Sequence, residues 1–370
     1  MNRGRKIWSI FWRTAVCGLL LFWIFHAIFQ YEGKNALEQR GQKWEELPRS
    51  EQWRMAWTHG PAGLWRNLRQ ISPGALAGGT LLAGLTVVIG VLRWRAALEV
   101  QGIQLPLSRT LEISFVAQFF NSFLLGSTGG DLIKAFYAAR ETHHKKPEAA
   151  VTVFADRLVG LWAMLLFAGA MMLPNLSLLR DHEVLAASSA IILGMLAACT
   201  VLGLLAFRGG LSQHWPGARA ALRKLPKGEW LERSLESCRI FGRRRDYLAR
   251  AFGLSMLLNL VCVAQFVVIA AGLGARASLS AWLLIIPVVL CIAALPVTPS
   301  GLGVRENLLV LMLAVDEIRI PATTALSISL LAYAGMLFWS LVGGLVYLTF
   351  RQRHHLAEVA VESPEQNSSQ

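Results

Sequence analysis

Charge is what this chain has least of. Charged residues make up 16% of it, against the roughly 25% usual in soluble domains. Stretches near 14–29, 75–92, 149–173, 184–206, 251–272, 279–297 and 321–349 are almost free of it. Cysteine is scarce as well. Cys17, Cys199, Cys238, Cys262 and Cys291 are scattered without a CxxC or Cys/His spacing, so neither a metal site nor a redox pair is indicated. All but Cys238 sit inside apolar runs, as small packing residues. No P-loop, dinucleotide fingerprint, Gly-x-Ser-x-Gly elbow or His-Glu-x-x-His pair occurs. No cofactor, metal or soluble catalytic centre is therefore expected. His143, His144, His354 and His355 stand in polar stretches, where solvation accounts for them.

What is present is hydrophobicity, at 54% of residues, gathered into runs. A helix needs about 20 apolar residues to cross ~30 Å of hydrocarbon, and the runs above approach or exceed that length. The net charge of +13 could suggest nucleic acid. Its placement argues otherwise, because Arg3, Arg5 and Lys6 precede the first run and Arg351 and Arg353 follow the last. Basic flanks of this kind mark cytoplasmic ends facing anionic lipid, so membrane lipid is the expected partner and nucleic acid is not. The first run is expected to stay as a span, since bulky Phe25, Phe29 and Tyr31 stand where a signal peptidase would need small residues.

Loop charge sets the expected orientation. Residues 207–250 hold eleven Lys/Arg against four acids and should be cytoplasmic, with little buried apolar surface. Residues 30–74, with seven basic and five acidic residues and Trp44, Trp53, Trp57 and Trp65, should lie on the outer membrane surface. Two segments resist being simple spans. The run 110–126 breaks at Gly126-Ser127-Thr128-Gly129-Gly130 and resumes as a short helix to Arg140. The run 280–297 breaks over 296–303 and resumes from about 304 to 315. Glycine and proline end helices, and the resumed pieces are too short to span, so both read as re-entrant hairpins. Only with 110–140 re-entrant does the basic 207–250 loop fall on the side its charge demands.

The expected fold is thus an all-α membrane protein of about six full transmembrane helices and two re-entrant helical hairpins. It forms one membrane domain over 1–350, with a polar tail of disordered composition over 351–370. Residues 1–173 and 174–350 repeat the order span, loop, span, hairpin, span from opposite sides, the layout of an inverted-topology repeat. A multi-pass cell (inner) membrane protein with both termini cytoplasmic follows.

Three features could carry chemistry. Asn121, Ser127, Thr128, Gly129, Gly130, Asp131 and Lys134 form a glycine break ahead of a helix. Its exposed N–H groups suit an anion such as a lipid phosphate, although a capped interfacial turn would look the same. Ser300, Gly301, Gly303, Arg305 and Glu306 repeat this grammar in the second hairpin, although a Pro/Gly loop on the outer surface would look the same. Asp156 and Arg157 lie inside an apolar run. Adjacent helix residues point about 100° apart, so each should find a partner on another segment, whether for function or for structure. Arg157 is expected to pair with Asp131 rather than Glu306. The six charges Asp131, Lys134, Asp156, Arg157, Arg305 and Glu306 are expected to gather beside a polar cavity.

These motifs carry a resemblance. Arg93-Trp94, the block Asn121 to Lys134, Asp156-Arg157-Leu158-Val159-Gly160 and the stretch Pro299 to Glu306 together resemble the flippase-like family that includes the transmembrane region of lysylphosphatidylglycerol synthase. Leu125 replaces a usual proline, while Lys134 and Asp156 keep the charge of a usual Arg and Glu. The synthase's soluble aminoacyl-transfer domain has no counterpart in the 370 residues. The resemblance implies a protein that moves a phospholipid or lipid-linked substrate between leaflets and is not an enzyme. A membrane-embedded headgroup transferase, using Asp131, Asp156 or Glu306 as acid or base, is an alternative. A non-catalytic scaffold for a separately encoded lipid-modifying enzyme is another.

Overall fold

Apolar runs of this length should become helices that bury one face on each other and turn another to lipid. The computed structural model describes residues 22, 26, 29, 30, 33, 34, 37, 47–123, 129–141, 146–208, 237–295, 301 and 303–362. Most of the run 14–29, most of the 207–250 stretch and the site candidates Ser127, Thr128 and Ser300 lie outside the described residues. The helices are α1 (Arg49–Gln70), α2 (Pro73–Val100), α3 (Leu107–Phe123), α4 (Gly129–Glu141), α5 (Lys146–Met172), α6 (Leu176–Asp181), α7 (Glu183–Arg208), α8 (Arg245–Gly272), α9 (Leu279–Ala293), α10 (Val304–Leu313) and α11 (Ala322–Glu362). Among the described residues no strand occurs.

Among the described residues, five segments are long and apolar enough to cross a membrane: Pro73–Val100, Pro147–Asp181, Glu183–Leu204, Arg245–Gly272 and Ala322–Leu348. The chain is an all-α, multi-pass membrane protein. Exposed Leu81, Leu85, Ile191, Leu193, Val201, Leu202, Leu345 and Leu348 are apolar surface that lipid can cover. Sequence chemistry sets the starts: Ser72, with Pro73 behind it, accepts from the Ala75 N–H at 3.3 Å, and Ser278 accepts from the Ala281 N–H at 3.2 Å. Helical order in α11 continues to Glu362, past position 351, where the tail was expected to begin.

The two interrupted segments fold back on themselves, α3 against α4 and α9 against α10. At 1.5 Å per residue the four legs measure about 25, 20, 22 and 15 Å, short of the ~30 Å hydrocarbon thickness. Arg109 at the foot of α3 donates to Glu141 at the end of α4 (2.9 Å) and to Glu112 (2.8 Å), which ties the open end of the first hairpin. Gly130 closes its other end, because a Cβ there would strike the Ala117 carbonyl and the Asn121 side chain.

The seam between α2 and α8 is the most extensive helix contact among the described residues. It runs antiparallel: the Ser72 N–H donates to the Gly272 carbonyl at 3.3 Å, Gly79 faces Ile269, and Arg93 reaches Ser255. The first hairpin packs on α11 and the second on α5. On α11, Gly343 and Gly344 let the Phe115 backbone and Phe119 ring approach closely, and Ser340 bonds Ser122 at 2.7 Å.

One expectation is corrected. In the described part of the basic 207–250 stretch, Cys238, Phe241 and Tyr247 are buried in a core with Trp94 and Ala251. The stretch therefore contributes packing as well as charge. Its apolar residues sit between arginines, where composition alone hides them.

Candidate functional site

The first centre is assembled from four helices. α5 carries Asp156 and Arg157 on different faces, as the 100° step requires. Asp156 is buried and receives a bidentate contact from Arg93 of α2, Nε to Oδ1 at 2.8 Å and Nη2 to Oδ2 at 3.2 Å. The third guanidinium nitrogen, Nη1, donates to Ser255 Oγ of α8 at 3.0 Å. Gly160, one turn above Asp156, leaves the room the Arg93 guanidinium fills. Such charge-assisted, doubly bonded pairs are what a low-dielectric interior requires of a charge.

Arg157 turns to α4. Its Nε lies 2.7 Å from Asp131 Oδ2 and its Nη2 donates to Oδ1 at 2.8 Å, so the expected pair is present. Its side chain is 54% exposed and that of Asp131 20%, so the pair forms the accessible edge of the centre. One turn on, Lys134 places its Nζ 4.2 Å from the centre of the Trp94 ring. Trp94 is fully buried and fixed by its indole N–H donating to Thr152 Oγ1 at 3.1 Å. At the head of α4, the Gly130 N–H donates to Asn121 Oδ1 at 2.8 Å, which commits that oxygen of Asn121 to closing the hairpin. Gly129 begins the helix, half-buried.

The second centre lies at the start of α10 and is closed. Gly301 (φ +69°) and Gly303 (φ +85°) hold left-handed backbone that glycine adopts without penalty. Glu306 accepts from the Gly303 N–H at 2.7 Å, from Arg305 Nη2, and from Ser329 Oγ at 3.1 Å. Arg305 Nε donates to the same Ser329 hydroxyl at 3.0 Å, and its guanidinium sits 4.9 Å from the Tyr333 ring centre. Glu306 is fully buried and Arg305 nearly so. Every charge in it has an internal partner.

The expectation that all six charges would gather in one cluster is thus corrected. Arg305 and Glu306 satisfy each other and α11, with no ion pair reaching the first centre among the described residues. The long, bent arginine lets two sequence neighbours meet despite the 100° step. Two recesses border these helices. One recess of about 370 Å³ is apolar and lies between α5, α7 and α8, and another of about 240 Å³ lies where α2 ends and α8 begins. Sequence reasoning did not assign Arg93, Ser255, Ser329 or Tyr333 to these centres. Arg93 had a signal, as a lone charge closing an apolar run.

Against known families, the model of the lysylphosphatidylglycerol synthase transmembrane region matches residues 52–354. The chain belongs to that family. The match takes in both hairpins and both charged centres, and it makes this a membrane protein of lipid-related function. No curated protein matches the chain.

Proposed function

We propose that the protein translocates an anionic phospholipid or lipid-linked anion between leaflets, with the first centre holding the headgroup phosphate. The observation that carries this is charge balance. Arg93, Lys134 and Arg157 face two carboxylates, Asp131 and Asp156, giving +1 overall. Arg93 and Arg157 are each spent on a bidentate pair. Lys134 has the Trp94 ring beneath it and no ion pair among the described residues. A phosphate monoanion would balance the centre and accept from the ammonium while its acyl chains remain in the bilayer.

The packing plan supports an inverted repeat. Exchanging α2 with α8, α3 with α9, α4 with α10 and α5 with α11 turns every extensive contact among these eight helices into another such contact. Positions correspond as well. Arg93 and Gln265 are each the twenty-first residue of their helices, Asp156 and Ala332 each the eleventh. Arg93 bonds Asp156, as Gln265 bonds the Ala332 carbonyl at 3.1 Å. Because α2 and α8 run antiparallel, a two-fold axis relating them lies across the helices, in the membrane plane. That symmetry suits alternating access. We place the basic 207–250 stretch and both termini on the cytoplasmic side of the cell membrane, on charge.

The test is exchange of fluorescent phosphatidylglycerol in phosphatidylethanolamine/phosphatidylglycerol vesicles, read by chemical quenching of the outer leaflet. Wild-type protein should accelerate exchange, and Lys134→Gln should slow it at unchanged reconstitution. Exchange no faster than in protein-free vesicles would refute the proposal for that lipid. Unimpaired exchange in Lys134→Gln would refute the assigned role of Lys134.

A further inference from the structure

A recess of about 240 Å³ opens where α2 ends and α8 begins, rimmed by Glu99, Arg244, Asp246 and Arg250 with Tyr247 behind them. Tyr247 is 5% exposed, and its ring packs against Phe241 at 5.1 Å between centres. Its hydroxyl is buried with no hydrogen-bond partner among the described residues. An orphaned buried hydroxyl is uncommon and usually marks an ordered water or a functional contact.

The alignment of this recess is informative. Tyr247, Ala251 and Ser255 recur every four residues and share a buried face of α8. Ser255 at the top of that face accepts from Arg93. On α2, Val100, Ala96 and Arg93 likewise share one face by their spacing, and the first two line the recess. The recess therefore leads along the α2/α8 seam toward the Arg93–Asp156 pair. The phenol is within electrostatic reach of both members.

We propose that this recess, with Tyr247 at its inner end, is a hydrated proton-access route from one membrane face to Asp156. A proton from water in the recess adds to the Tyr247 oxygen as the hydroxyl passes its own hydrogen, through a bridging water, to the Asp156 carboxylate. The phenol is regenerated and Asp156 becomes a neutral acid. The groups facing Asp156 are Arg93 from α2, Lys134 from α4, Arg157 beside it in α5 and Tyr247 from α8. Protonation removes one of the two negative charges and takes the centre from +1 to +2. A more positive centre holds an anion more tightly, so proton entry and anion binding favour each other, and a proton would travel with the lipid. The coupling rests on the function proposed above, whereas the access route does not.

Two measurements separate them. In the first, infrared difference spectra of the protein in lipid vesicles are recorded over time after a rapid drop in pH, with no transport involved. An acid carbonyl band should rise in wild type and be missing in Asp156→Asn. In Tyr247→Phe, which keeps the ring on Phe241 and removes only the hydroxyl, it should rise more slowly. No Asp156-dependent band, or one that rises as fast in Tyr247→Phe as in wild type, overturns the route. In the second, phosphatidylglycerol exchange is followed with and without an imposed pH gradient. Wild type should respond to the gradient and Tyr247→Phe should lose that response while still exchanging. Exchange indifferent to the gradient overturns the coupling alone, and absence of any exchange overturns the function instead.

Discussion

Removing one member of the Arg93–Asp156 pair should cost far more than removing both. Arg93→Met leaves a buried carboxylate without its two direct donors, and Asp156→Leu leaves a buried guanidinium with Ser255 as its remaining partner. Breaking a buried pair from one side typically costs about 3–5 kcal/mol, whereas replacing the whole pair with apolar groups of similar volume is often near neutral. Lys134 lies close enough to Asp156 to compensate part of its charge, so Arg93→Met should sit at the lower end of that range and Asp156→Leu at the upper. The double variant should recover most of the loss, giving a coupling of several kcal/mol in a double-mutant cycle. Thermal unfolding can be followed with a thiol-reactive dye, because Cys199, Cys238 and Cys291 are buried in the fold and become reactive as it opens. If the single variants unfold like wild type, or if the double variant is as unstable as the sum of the two, the pair is not the buried, mutually dependent unit described here. The same double variant also separates roles: folded but unable to exchange lipid, it would show that the charges serve transport rather than assembly.

Two further outcomes follow from the geometry. A Cβ at Gly160 would press into the Arg93 guanidinium, so Gly160→Ala should destabilise by about 1–3 kcal/mol, as overpacking does. That loss should largely disappear in an Arg93→Met background, and one that persists undiminished there would place the strain elsewhere. Outside the spans, His182 Nε2 lies 2.6 Å from Glu317 Oε2. That hydrogen bond, aided by the residue's own backbone N–H, holds the Glu317 carboxyl below its ordinary range. A depressed carboxylate contributes stability above its unfolded pKa, near ~4.3, and loses it as pH falls through the lower folded value. Glu317→Gln should therefore be less stable than wild type at neutral pH and converge with it in strong acid. A gap that widened on acidification would reverse the sign of the argument.

The five spans from Pro73 onward and the two hairpins were legible because their signals are local. A run of about 20 uncharged residues, or a glycine–proline break within one, carries its meaning in consecutive residues. The Asp131–Arg157 pair was legible for a related reason: a charge in an apolar helix needs a partner, and the first hairpin offered an acid at similar depth. Arg93 was harder to read. At the end of an apolar run it resembles an interfacial flank, and only the antiparallel packing of α2 on α5 brings it level with Asp156. Ser329 and Tyr333 give no signal inside an apolar helix until Arg305 is seen to lean on them. The separation into two centres was likewise invisible, since it depends on how far each arginine side chain bends.

Under the proposed repeat, corresponding positions in the two halves give this separation a meaning. Asp131 and Glu306 are each the third residue of a short helix that follows a glycine break. Arg157 and Tyr333 are each the twelfth residue of the span behind it. In the first half the acid meets an arginine on that span, and the pair remains partly exposed. In the second half the arginine has moved onto the short helix itself, the span offers an aromatic face and a hydroxyl, and the group is sealed. A buried ion pair whose two charges satisfy each other has little to offer a ligand and every reason to keep its shape. An open one, beside a lysine with no ion pair among the described residues, can exchange partners at small cost. The second hairpin is therefore suited to be the fixed element and the first to be the responsive one, and under the proposed function a substrate phosphate would bind Lys134 beside the Asp131–Arg157 pair.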